Sequence, residues 1–324
     1  MGIPHERPMH GAAELLRYRP WRGEFQGPWR GVWAIARVAL GLIYRRKLFW
    51  ALYGLSVMIF LFFFYGQYLQ VWLEQKVNDD SLRLGNLFSR NVRPEAMLRS
   101  LRNALQLNGS AETYANFIWF EGFIVMVVLA FVGSVLVGND FHHGSLPFYL
   151  SKPINRWHYI AGKCLAVAIF INLMTTIPAL VLFAEYGFID DWSYYWESSR
   201  LLFGILAYGV VLTITLSLLL MMTASWVRRT VPMVMIWTAV FVLGRLMGRW
   251  LVDGLHLSPR WRLVDLWNNL YLTGQWALGT PHQALRPPSQ IQTAYMEAAL
   301  VVGAVCIACL IYLHRRIRAV EVVS

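Results

Sequence analysis

Acidic residues are scarce in this chain of 324 residues: 18 Asp and Glu stand against 29 Lys and Arg, and charged residues of both signs make up only 15%. So little charge cannot solvate the surface of an ordinary soluble domain. Cysteine is nearly absent as well. Cys164, Cys306 and Cys309 all fall in apolar runs, so no disulfide framework is expected. The Cys306-x-x-Cys309 pair, with no His, Asp or second Cys pair near it, reads as small packing residues rather than a metal or redox site. His142, His143 and His158 are irregularly spaced and lack carboxylate partners, which argues against a metal centre and against a membrane-embedded enzyme. A phosphate-cradling G-x-x-x-x-G-K-[ST] run is missing too: Gly162-Lys163 is followed by Cys164 and preceded by Trp157 where the first glycine would stand. The chain is therefore expected to be no enzyme and to hold no cofactor. No internal repeat is found, although many secondary transporters carry one. The first forty residues are polar, Arg-rich and interrupted by Pro4, Pro8, Pro20 and Pro28, so no cleavable signal peptide is expected.

What the chain does have is apolar length. Hydrophobic residues make up 57% and aromatic residues 15%, and mean hydropathy is +0.45. Runs of roughly 20 mostly apolar residues are long enough to cross a bilayer as helices. They are expected at 48–68, 117–137, 160–183, 201–226, 231–251 and 295–313. The runs are continuously apolar, without the alternation of a barrel strand. The predicted fold is an all-α integral membrane protein with six transmembrane helices. A cytoplasmic tail and connecting helix fill 1–47, the six-helix domain 48–314 contains outer loops 69–115 and 252–294, and a second tail covers 315–324.

The basic residues set the orientation. Arg7, Arg17, Arg19, Arg22, Arg30, Arg37, Arg45, Arg46 and Lys47 precede the first span, and Arg315, Arg316 and Arg318 follow the last. Both termini are therefore predicted to be cytoplasmic. Lys152, Arg156 and Lys163 between spans two and three, and Arg228 and Arg229 between spans four and five, agree. The formal charge of +11 reads as a topology signal and as attraction to anionic membrane lipids, with no separate basic module for nucleic acid. From Trp29 to Lys47, apolar Val32, Trp33, Ile35, Ala36, Ala39, Leu40 and Ile43 alternate with Arg30, Arg37, Arg45 and Arg46. This predicts an amphipathic helix lying on the inner leaflet; packing against the bundle is the alternative.

The most informative stretch joins spans two and three. Leu146, Phe148, Tyr149 and Leu150 are apolar residues in a short loop that breaks at Lys152-Pro153, because the residue before proline avoids helical angles. Apolar residues presented this way suit a docking partner. In order, Asp140, Gly144, Ser145, Leu146, Leu150, Ser151, Pro153, Arg156, Gly162 and Lys163 resemble the corresponding loop of ABC-2 type transporter permeases. The resemblance extends to the six spans, to the amphipathic helix before them and to the basic tail Arg315 to Val323. Asn155 stands where that pattern has Ser or Thr, and His142-His143 is unusual for it.

The resemblance implies a permease subunit of an ATP-driven exporter in a prokaryotic cytoplasmic (inner) membrane. It would pair with a second permease, identical or related, and with a separate ABC ATP-binding subunit. Asp140 to Tyr159 would be the coupling helix, with Leu146, Phe148, Tyr149 and Leu150 as apolar anchor and Asp140, Lys152 and Arg156 as flanking charges. A non-transporting scaffold subunit and a secondary transporter are the rival readings.

Charges inside the spans are few. Glu121 near one end of span two, Arg245 and Arg249 one turn apart in span five, and Glu297 at the start of span six all lie toward one leaflet. They form a candidate outer gate, a carboxylate pairing with an arginine; snorkelling to the headgroups is the alternative. In the outer loops, Pro94 to Leu107 and Arg262 to Leu278 have helical spacing. Trp267, Tyr271 and Trp276 of the second suit either the outer interface or the core. Aromatic-rich spans fit a hydrophobic or amphipathic cargo and equally fit plain lipid contact.

Overall fold

The computed structural model describes residues 27–78, 107–133, 136, 156–227, 229–280 and 293–316. Among them, six helices are long and apolar enough to cross a membrane: Lys47–Trp72, Ala111–Gly133, Trp157–Ile189, Ser199–Trp226, Thr230–Gly254 and Tyr295–Arg316.

The first helix, α1 (Pro28–Tyr44), begins with proline at its first turn, where a missing N–H costs nothing. Its buried residues are Val32, Ile35, Ala36, Ala39 and Ile43, one stripe at helical spacing. They face the start of α4 (Arg156–Met174), at which Gly162 leaves room for Ile35 and the Val32 carbonyl. Trp29, Trp33 and Val38 stay outward with Arg30 and Arg37. The apolar residues read from the sequence as one face are thus divided: most pack against the bundle and Trp33 does not. The Trp50 indole N–H donates to the Tyr44 carbonyl at 2.9 Å and closes the end of α1 as the chain turns into α2 (Lys47–Asn78).

Only 17% of the spanning window of α2 is buried. Phe49, Ser56, Phe63, Gln67 and Val71 form its single inward stripe, at intervals of seven and then four, which keep one helix face toward a neighbour. The main neighbour is α3 (Ala111–Gly133), the second span. It starts earlier than the expected Phe117 because Glu112, Thr113, Tyr114 and Asn116 are polar in sequence, although Thr113 and Tyr114 are buried in the fold.

The third span is broken in two. Pro178 has no N–H for the Met174 carbonyl, and its ring clashes there. Accordingly α4 ends at Met174 and α5 (Thr176–Ile189) starts afresh. The Thr175 hydroxyl donates to the Ile171 carbonyl at 2.8 Å at the joint. A short helix α6 (Ser193–Glu197) leads to α7 (Ser199–Trp226), the central and heavily buried fourth span. The fifth span, α8 (Thr230–Gly254), widens into π-helical turns at Ala239–Leu243 and Trp250–Gly254.

After a 3-10 turn at Pro259–Val264 comes α9 (Leu266–Leu278), and the chain returns as α10 (Tyr295–Arg316). The helix α9 is capped at both ends: Asp265 accepts from the Asn268 backbone N–H at 3.0 Å, and Gly279 takes φ 74°, the left-handed conformation that glycine adopts without penalty. It is wedged among α3, α7 and α10. Its aromatics divide between core and surface: Trp267 is buried against Gly122 and the Phe241 ring, Tyr271 is half-buried, and Trp276 is exposed.

Candidate functional site

The sequence-predicted site residues fall in two groups, of which 140–152 lie outside the described residues. Trp157 and His314 stack at 5.7 Å, which puts the start of α4 and the end of α10 together at the end that also holds α1. Arg260 and Glu297 pair at 3.3 Å at the opposite end.

At the α1 end the chain leaves α3 and returns through α4. Asp140, Leu146, Phe148, Tyr149, Leu150 and Lys152 lie outside the described residues, and Arg156 opens α4 with its side chain likewise undescribed. What is described is the frame on which that loop hangs. Leu136 is buried just beyond α3, and its carbonyl accepts a 2.6 Å hydrogen bond from the Lys163 ammonium. Lys163 is itself only 4% exposed and lies 5.9 Å from the centroid of the Tyr159 ring. It does not snorkel outward. Beside it, Gly162 meets α1, and His158 meets the edge of Trp29 at 6.2 Å. The first turns of α4 are therefore the meeting point of α1, the end of α3 and the end of α10.

Toward the other end, Glu121 is fully buried on α3. Because the helix begins at Ala111, Glu121 lies about 15 Å along it, near the middle of the span rather than near its end. The Ser56 hydroxyl of α2 donates to its Oε2 at 2.6 Å, while Oε1 has no hydrogen-bond partner among the described residues. The ion pairs among the described residues are Arg260–Glu297 and Arg262–Asp253, the latter at 2.7 Å. Arg245 lies over the Trp119 ring, 5.2 Å from its centroid, and Arg249 is exposed. Of the four predicted gate residues, Glu297 has an arginine partner, but it is Arg260. Glu121 is brought to a serine.

Sequence reading missed several polar contacts in the membrane domain. Ser56 is one of them; its signal is the seven-residue spacing from Phe49 through Ser56 to Phe63. Asn172 donates to the Thr213 hydroxyl at 3.0 Å and accepts from Thr176 at 2.7 Å, joining α4, α5 and α7. Tyr271 donates to Asn116 at 3.1 Å and accepts from Gln275 at 2.9 Å, joining α9 to α3. Such bonds add about 0.6 kcal/mol each on average in a membrane domain and fix which helix faces meet. Cys164, Cys306 and Cys309 are free thiols; Cys306 lies 3.5 Å from the Thr215 hydroxyl and Cys309 3.5 Å from the Met222 sulfur.

Residues 33–260 match the family model described as "ABC-2 family transporter protein". The matched segment runs from α1 through the fifth span, and includes the whole connection between spans two and three. No curated protein matches the chain. The six apolar helices and this match make it a multi-pass membrane protein, consistent with the bacterial inner membrane.

Proposed function

The chain belongs to the ABC-2 family of transporter proteins, and from that premise we propose that it is the membrane half of an ATP-driven exporter that couples to a separate ATP-binding subunit through residues 140–156. One observation carries this reading: the family match spans that loop together with both helices that flank it. In this scheme Leu146, Phe148, Tyr149 and Leu150 fill an apolar cleft on the ATPase, and Asp140, Lys152 and Arg156 pair with charges around it. Closure of the ATPase then moves α3 and α4 as rigid bodies. Hydrolysis falls to the partner because the sequence offers no phosphate-binding loop. A second permease chain completes the path. Both termini are placed on the cytoplasmic side by the basic residues that flank the spans, and α1 rests on the inner leaflet through Trp29, Trp33, Arg30 and Arg37, which its packing leaves outward.

At the other end, Glu121, Arg245, Arg249 and Glu297 remain the gate of this proposal, with Arg260 added as the partner that holds Glu297. The position of Glu121 also favours a second reading. An acidic residue near mid-span is what an ion- or proton-linked secondary transporter would use.

The deciding experiment is affinity purification of the tagged full-length chain from detergent, with identification of copurifying proteins and assay of ATP hydrolysis. The wild type should bring down an ATP-binding subunit, and the triple change Leu146→Ala, Phe148→Ala, Tyr149→Ala should lose it. A chain that purifies alone, or a partner that binds the triple variant equally well, overturns the coupling assignment in favour of a scaffold or a secondary transporter.

A further inference from the structure

The inference concerns Lys163 and rests on the proposed docking of loop 140–156 to an ATPase. A buried ammonium is costly unless a strong acceptor compensates it. Lys163 meets that need by donating 2.6 Å to the carbonyl of Leu136, a charge-assisted bond. Leu136 stands three residues after Gly133, the last residue of α3, and is itself in a helical turn. Topology gives this bond its meaning. Leu136 is where the chain enters the 137–155 connection, and Lys163 sits two turns into the helix by which it leaves. Both residues are buried, as is Tyr159 beside them, and Gly162 on the next position is pressed against α1.

We propose that Lys163 is a positioning residue that clamps the entry and exit of the loop together, so that a push on the loop reaches α3 and α4 as one body. Without the ammonium the hydrogen bond that ties Leu136 to α4 is lost. Each helix would then answer the loop separately, and motion would dissipate at the base of the bundle. The charge matters less than the reach. Arginine can span the same gap with a donor, whereas methionine fills the same volume and cannot donate.

The test uses the full chain with its ATPase partner in a background lacking the three native cysteines. Spin labels go on Phe131→Cys of α3, an exposed position, and Ile169→Cys of α4, a half-buried one. Distances between them are measured with and without nucleotide in wild type, Lys163→Met and Lys163→Arg. The wild type and Lys163→Arg should give one narrow distribution in both states. Lys163→Met should capture the partner to within about twofold of wild type, yet show a distribution at least twice as wide once nucleotide is added. A distribution in Lys163→Met as narrow as wild type overturns the clamp while leaving the docking reading intact. A wild type that captures no ATPase overturns the docking reading and the clamp with it. Should Lys163→Met fail to assemble, Lys163→Leu, which neither reaches nor donates, takes its place, and a narrow distribution there also overturns the clamp.

Discussion

The Ser56 hydroxyl of α2 donates to the Glu121 carboxyl of α3 at 2.6 Å, and both residues are buried. Ser56 and Gln67 are the polar members of the inward stripe of α2, in a seam where Phe63 meets Phe117 edge-on at 5.3 Å. Since α2 touches the bundle along one narrow stripe, this bond bears on where that helix sits.

Ser56→Ala should therefore destabilise the fold by about 1 kcal/mol, the scale of one hydrogen bond whose partner is left buried. Glu121→Leu in the Ser56→Ala background should recover part of that loss. A double-mutant cycle by equilibrium unfolding in mixed micelles checks this; strictly additive changes would mean the two side chains do not interact.

Gly204 of α7 lies so close to α9 that an added Cβ would come within 2.8 Å of the Leu278 Cα and 2.9 Å of the Ala277 carbonyl oxygen. Backbone atoms cannot step aside as a side chain can. Gly204→Ala should cost about 1–3 kcal/mol, as overpacking does. Gly54→Ala on α2, where nothing lies within 4 Å, should be neutral or stabilise by roughly 0.5–1 kcal/mol, because glycine weakens a helix interior. Thermal unfolding of the two variants in the same detergent separates these outcomes.

Asp265 caps α9 from outside the spans, and burial pushes its carboxyl above the usual aspartate range against the pull of the Asn268 N–H. Its folded-state value exceeds the unfolded one, so its contribution is full below the unfolded pKa and falls as pH rises through the folded one. Asp265→Asn keeps a capping oxygen without that titration. The variant should gain stability relative to wild type as pH rises from the ordinary carboxylate range, whereas Asp265→Ala should lose about 1 kcal/mol of cap. Melting curves across that window decide; a difference between wild type and Asp265→Asn that does not change with pH counts against it.

Gly162→Leu should lift α1 from α4, since its Cβ alone would come within 2.9 Å of Ile35 and 3.0 Å of the Val32 carbonyl. Ala36, fully buried in this contact, gives the readout. In an Ala36→Cys background free of native cysteines, thiol labelling should be slow, and at least tenfold faster once Gly162→Leu is added. Equal rates would show that α1 does not depend on this approach.

The sequence by itself determined the class of the protein. Continuous apolar runs leave backbone groups no option in lipid but to bond within a helix, so six spans were legible, and so was the family through Asp140, Gly144, Leu146, Pro153 and Gly162-Lys163. Where helices begin was less legible at Thr113 and Tyr114, because polar residues that bury themselves look like loop. Tertiary structure alone decided which side chains meet. Glu121 reads as a candidate for an arginine, yet its partner is Ser56, and Glu297 takes Arg260 from a turn distant in sequence. Lys163 looks like a residue that reaches for headgroups, and it turns inward to Leu136. An apolar pattern fixes how much surface a helix hides, but only the packing of several helices fixes which polar atoms are left within hydrogen-bonding distance.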